Sequence, residues 1–123
     1  MIRYISLLLF IGLAWGQDCT ADDGTEGVEL WGECYSIENT TELHLVNNRL
    51  TGSIPPEIGN LTNLTHLNLR YNQLNGEIPE SICDLNIEWS SSWSFNLSNN
   101  QLCPLYPSCI EDYVGTQDTS DCP

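Results

Sequence analysis

Leu43-His44-Leu45-Val46-Asn47-Asn48-Arg49-Leu50-Thr51-Gly52-Ser53-Ile54-Pro55 and Leu67-Asn68-Leu69-Arg70-Tyr71-Asn72-Gln73-Leu74-Asn75-Gly76-Glu77-Ile78-Pro79 are two versions of one pattern, 24 residues apart. Leucine, asparagine, glycine and Ile-Pro fall at the same places in both. The match continues through Ile58 with Ile82 and Leu61 with Leu85. A third copy, Phe95-Asn96-Leu97-Ser98-Asn99-Asn100-Gln101-Leu102, follows after 28 residues, so an insertion of four residues lies among 86–93. Its tail keeps the register, with Tyr106-Pro107 in the Ile-Pro slot and Ile110 in the slot of Ile58 and Ile82. Upstream, Leu30, Cys34 and Ile37 occupy the slots of Ile54, Ile58 and Leu61, which reads as a degenerate half-repeat.

Each slot has a physical reason. The Leu-x-Leu stretch alternates with period two, so its leucines face one way and the intervening residues the other. One such strand cannot bury its apolar side alone, whereas successive turns stacked side by side make a parallel sheet backed by a continuous leucine core. Asn48, Asn72 and Asn100 sit where the chain leaves the strand. A side-chain amide donates and accepts at once, so a stacked column of them can satisfy the backbone groups that a turn leaves unpaired. Gly52 and Gly76 suit a tight bend, and the proline of each Ile-Pro suits a segment that needs no backbone donor. The residues Pro56 to Asn60 and Glu80 to Asp84 then read as short helical arms. An amphipathic helix would explain leucines alone, but not asparagine, glycine and Ile-Pro recurring in fixed register.

The segments outside the repeat narrow the class. Met1 to Tyr4 carries one cation, Ile5 to Trp15 is almost unbroken apolar sequence, and Ala14-Trp15-Gly16 provides small residues where a signal peptidase reads. Residues 1–16 therefore read as a secretory signal peptide cut before Gln17. The apolar run is short of the roughly 20 residues of a membrane span. The formal charge is −14, with no lysine, and beyond the signal only Arg49 and Arg70 stand against seventeen acidic residues. Phosphate binding needs clustered cations, so a nucleic-acid partner is disfavoured, as is an anionic membrane surface. Six cysteines in a short exported chain, none in Cys-x-x-Cys spacing, read as a disulfide framework rather than a zinc site.

The stretch Leu50-Thr51-Gly52-Ser53-Ile54-Pro55-Pro56-Glu57-Ile58-Gly59-Asn60-Leu61-Thr62-Asn63-Leu64 resembles the leucine-rich-repeat family. The subclass it is similar to occurs in plant receptor-like kinase ectodomains, polygalacturonase inhibitors and some secreted bacterial proteins. The resemblance spans about Leu30 to Ile110. It implies an α/β solenoid, a short leucine-rich-repeat stack with a parallel concave sheet, short helical or 3-10 convex arms and disulfide-stapled caps. The implied organisation is an N-terminal cap with the half-repeat over 17–40, repeats over 41–110, and a C-terminal cap and surface coil over 111–123. Members of the family seal their ends with cysteine-rich caps, so Cys19 is expected to pair with Cys34. Among Cys83, Cys103, Cys109 and Cys122 three pairings are possible. Cys83–Cys103 with Cys109–Cys122 leads, and Cys103–Cys109 with Cys83–Cys122 is close behind it.

The resemblance also implies ligand binding through the concave face, and the residues between the core leucines supply it: His44, Val46, Asn68, Arg70, Tyr71, Asn96 and Ser98. Arg70 and Tyr71, side by side, are the residue types that dominate interface energetics. His44 and His66 fall diagonally on adjacent strands with Glu42 across from His66. That trio could hold a metal, but an ion pair on the surface is the favoured reading. Asp22-Asp23-Gly24-Thr25-Glu26-Gly27 is acidic but lacks the spacing of a calcium loop and reads as a cap turn. The insertion Ile87-Glu88-Trp89-Ser90-Ser91-Ser92-Trp93 either plugs the core edge or projects as a binding wedge, the plug being favoured. Sequons occur at Asn39, Asn60, Asn63 and Asn96, but the repeat template itself generates such triplets.

No nucleophile is paired with a base in any motif, and no cofactor is implied, so the expected function is non-catalytic binding. The expected partner is an extracellular protein, peptide or glycan, met by a secreted or cell-surface monomer without a membrane span. The rival reading is a structural or adhesive extracellular protein without a discrete ligand. With so few repeats, burial is meagre and the staples carry much of the stability, about 3 kcal/mol for a loop of about 15 residues. Reduction is therefore expected to unfold the protein near room temperature; a thermal melt unchanged by reductant contradicts this.

Overall fold

The computed structural model describes residues 18–123, so the expected signal segment 1–16 lies outside the described residues. The described chain begins with three antiparallel strands, β1 (Asp18–Thr20), β2 (Glu26–Leu30) and β3 (Glu33–Ser36). Six short strands follow: β4 (Glu42–His44), β5 (Thr51–Gly52), β6 (His66–Asn68), β7 (Gln73–Glu77), β8 (Phe95–Asn96) and β9 (Gln101–Cys103). They form two parallel sheets, β4-β6-β8 and β5-β7-β9. In the first, Leu43 lies opposite Leu67 and Leu67 opposite Phe95, which are the 24- and 28-residue offsets of the repeat. The second sheet, running along the bends at Gly52 and Gly76, has no counterpart in the expected pattern. Both glycines take positive φ, 78° and 76°, a region their missing Cβ leaves open.

The arms are 3-10 helices at Pro56–Asn60 and Glu80–Asp84, each entered from the extended proline of an Ile-Pro pair. Between sheets and arms the repeated apolar slots close a single core. Ile58, Ile82 and Ile110 are fully buried, as are Leu67, Leu69, Leu74, Leu97 and Leu102.

The N-terminal end departs from the half-repeat. Leu30 is buried as its slot requires, but Cys34 and Ile37 are only half-buried, and the chain reverses between Leu30 and Glu33 into an antiparallel hairpin. The cause is local. Trp31 and Gly32 both have positive φ (50° and 86°), as two-residue hairpin turns demand. The repeats instead place a proline after the isoleucine, which holds φ negative and carries the chain forward. Trp31 packs against the core edge. The acidic turn is spent internally: the Asp23 carboxylate accepts from the Thr25 hydroxyl and amide and from Asn39 Nδ2. The bond from the Thr25 side chain is foremost in holding its pKa below the ordinary carboxylate value.

All six cysteines are paired. Cys19–Cys34 joins β1 to β3 as expected. The C-terminal pairs are Cys83–Cys109 and Cys103–Cys122, which corrects both arrangements expected from sequence. Cys83 follows Ile82 and Cys109 precedes Ile110, and those isoleucines share one slot on successive turns, so the two sulfurs meet on the arm side. Cys103 ends β9, opposite Glu77 in the second sheet, and the returning tail brings Cys122 to it.

The amide column is the main internal polar structure. Asn72 Oδ1 accepts from the Asn48 and Leu50 amides at 2.9 Å each, while its Nδ2 donates to Leu45 O at 2.9 Å and Leu69 O at 2.8 Å. One turn on, Asn100 accepts from Leu74 N–H and donates to Leu69 O and Leu97 O, each at 3.0 Å. The next place in the column belongs to Gln117. Its Oε1 accepts from Leu102 N–H at 3.0 Å and its Nε2 donates to Leu97 O and Val114 O at 2.8 Å. The tail that reads from sequence as cap and coil thus lays a further turn on the stack, with Val114 buried beneath it. Asn48, at the opposite end, is exposed and reaches only Val46 O at 2.9 Å.

Removing the Asn72 amide strands two donors and two acceptors, so Asn72→Ala is expected to cost about 3 kcal/mol and Gln117→Ala about 2. Asn48→Ala should stay within about 0.5 kcal/mol. Urea unfolding of the oxidised protein measures all three, and equal losses at the two asparagines would contradict the column.

Candidate recognition face

The first sheet buries Leu43 and Leu67 and turns the residues between them outward. The ladder outlasts the regular strands: Leu45 N–H donates to Asn68 O, Asn47 N–H to Arg70 O, Leu69 N–H to Asn96 O and Tyr71 N–H to Ser98 O. Three strands and three outward positions on each give a small face. Its columns are Glu42, His66 and Ser94, then His44, Asn68 and Asn96, then Val46, Arg70 and Ser98.

The charges sort sharply onto and off this face. Both histidines of the chain and one of its three arginines lie on it, with a single acid, Glu42, out of seventeen. His44 Nε2–H donates to Glu42 Oε1 at 2.9 Å, and His66 Nδ1 stands 3.9 Å from Glu42 Oε2. Thr65 gives its one hydroxyl hydrogen to Thr41 O at 3.1 Å and lies 2.9 Å from His66 Nδ1. His44 and Glu42 are thus hydrogen-bonded, with His66 at a longer distance. Among the described residues no group of three or more His, Cys, Asp or Glu side chains is placed to hold a metal.

Arg70 and Tyr71 are exposed at the far end of the central strand, with the guanidinium 5.6 Å from the tyrosine ring centroid. Tyr71 carries a backbone feature that its sequence position hides. Asn47, Tyr71 and Asn99 occupy one slot on three turns and all take positive φ, 55°, 58° and 62°. Asparagine tolerates that region and tyrosine does not. The ring is 54 % exposed, so core packing does not hold it there. Such strain, about 1–3 kcal/mol, persists only where the surroundings impose it.

The remaining expected residues differ in availability. Asn68 and Asn96 stand side by side at the centre, and Val46 is half-buried at the margin. Ser98 is less open than its place in the alternation suggests. Its hydroxyl donates to Asn96 Oδ1 at 2.7 Å, and Gly115 passes so close that a Cβ there would lie 2.7 Å from Ser98 Cβ. Glu42, His66 and Trp93 also belong to the face, outside the ligand residues expected from sequence. The insertion loop brings the Trp93 ring within 6.3 Å of His44 and 6.5 Å of His66. No repeat slot predicts where an inserted residue lands.

Residues 41–85 match the family model of leucine-rich repeats, in two copies. That stretch holds β4 through the second 3-10 helix, including the first two strands of the face. No curated protein matches the chain. Repeats of this kind present extended surfaces for recognition, chiefly of proteins. Among the described residues no helix is long and apolar enough to cross a membrane. Three disulfides suit an oxidising compartment.

Because asparagine fills the Tyr71 slot on the turns either side, Tyr71→Asn is expected to raise stability by about 1 kcal/mol. Chemical denaturation checks it, and a destabilised variant would show that the ring is held by packing after all.

Proposed function

We propose that this protein is a secreted, non-catalytic recognition module, exported by the signal peptide at 1–16 and working as a monomer. On this reading it is a short solenoid of the plant-type leucine-rich-repeat subclass. Its caps are 17–40 and 111–123, its repeats 41–110, and it meets an extracellular protein, peptide or glycan through His44, Val46, Asn68, Arg70, Tyr71, Asn96 and Ser98. It needs no cofactor.

The observation that carries this reading is the partition of charge. In a chain with seventeen acids, a face holding both histidines, Arg70 and one carboxylate is a local exception. Depletion of acids with enrichment in aromatic residues and arginine is the composition of interface centres. The strained, exposed Tyr71 supports it, since a tyrosine kept at a cost where asparagine would fit is better explained by contact with a partner than by folding. The face is small, so affinity must come from a few anchors, and Arg70 with Tyr71 are the natural ones.

The test is selection of a displayed peptide library and a glycan array against the immobilised, oxidised protein, followed by titration of each selected ligand. Arg70→Ala/Tyr71→Ala is expected to weaken binding by about 100-fold. Ligands that bind the double variant as well as the parent would remove this face as the site.

A further inference from the structure

The insertion in the third repeat places a large aromatic surface on the face that no packing requirement accounts for. Its two tryptophans take opposite roles. Trp89 packs edge-on against Phe95, 4.9 Å between centroids at 87°, and joins the core. Trp93 is 74 % exposed. Its ring and those of His44 and His66 lie at the corners of a triangle with sides of 6.3, 6.3 and 6.5 Å. At that spacing the rings contact one another, so they form a continuous ledge rather than a hole that would cage a cation. Ser91 N–H donates to Glu88 O at 3.1 Å, Ser94 N–H to Ser91 O at 3.0 Å and Phe95 N–H to Ser91 O at 2.9 Å, closing a turn around Trp93.

Beside the ledge stands a row of unspent polar groups. Asn68 Oδ1 accepts from Arg70 N–H at 3.2 Å, and Asn96 Oδ1 accepts from Ser98 N–H at 3.0 Å and from the Ser98 hydroxyl. Those bonds fix both amides with their oxygens engaged. The two Nδ2 groups make no intramolecular hydrogen bond among the described residues and are neighbours in register. Glu42, half exposed and diagonal to Asn68 on the adjacent strand, offers acceptors.

We propose that Trp93, His44, His66, Glu42, Asn68 and Asn96 form a subsite for a neutral hexopyranose residue of a glycan. The inference rests on the recognition face described above and names its ligand class. A pyranose ring is amphipathic: one side presents C–H groups that lie against an aromatic ring, and its rim presents hydroxyls that each donate and accept. The ledge supplies the aromatic platform, the paired amides supply donors and Glu42 supplies acceptors. The indole stands in solvent, where a sugar ring can stack on it from outside. The sugar is neutral because the Glu42 carboxylate borders the platform and repels a uronate. A platform already fixed by its turn loses little freedom on binding.

The test titrates the full oxidised protein with cellohexaose, laminarihexaose, mannohexaose and a hexauronate, by calorimetry and by the indole N–H resonance of Trp93. At least one neutral hexasaccharide is expected to bind and to shift that resonance, with the hexauronate weaker. Trp93→Ala is expected to lower affinity tenfold or more and Trp93→Phe about threefold, with the thermal melt unchanged in both. Asn68→Ala, which leaves the platform intact, should also weaken binding. No neutral sugar bound at about 10 mM, or binding indifferent to Trp93→Ala, overturns the subsite. A selected peptide lost with Arg70→Ala/Tyr71→Ala, in a protein that binds no sugar, overturns the glycan inference and keeps the face. Ligands of either kind that ignore both the Trp93 and the Arg70/Tyr71 variants overturn both.

Discussion

Where each strand ends, the chain turns and leaves N–H and C=O groups pointing inward, and one side-chain amide per turn meets them. Asn72 and Asn100 do this by accepting from the turn before and donating to carbonyls on two turns. Without them, the inner edge of the stack would hold buried backbone groups with no partner, each costing about 1–3 kcal/mol. The column also sets the spacing between turns, because an amide reaches only one neighbour. The parallel ladder of the first sheet, the 3-10 arms and the leucine core all depend on that spacing.

A column built this way has two ends that cannot be built the same way. At the C-terminal end the chain returns and supplies Gln117, whose longer side chain reaches Leu97 and Leu102 from a segment outside the repeat pattern. Cys103–Cys122 ties that segment down. At the N-terminal end an antiparallel hairpin replaces a turn, and Cys19–Cys34 closes it. Both solutions are needed because a stack this short buries little apolar surface per residue and cannot leave its ends open to water.

The same geometry creates the outward face. Period-two alternation sends every leucine in and every intervening side chain out, so a residue chosen for recognition can change without touching the core. The face is where this chain departs from the regular choices of its own repeat. Tyr71 stands where the adjacent turns use asparagine, and Trp93 stands in a loop that the first two repeats lack. Departures of this kind break the local pattern without serving the core.

Residue pattern alone specifies the repeat, its register, the inward leucines, the asparagine column, short helical arms and a disulfide framework. These are local or periodic, and period alone carries them. The pairing of Cys83 with Cys109 is also implicit in the register, since Ile82 and Ile110 share a slot. The remaining features depend on packing between segments. Gln117 matches no repeat, so its place at the end of the column follows from how the tail folds back. Leu30, Cys34 and Ile37 imitate a repeat in spacing, but the positive φ at Trp31 and Gly32 sends the chain backward. Trp89 and Trp93 are four residues apart with similar neighbours, and which one enters the core depends on the space beside Phe95. A pattern specifies what repeats; where the chain stops repeating, position is set by the surfaces it meets.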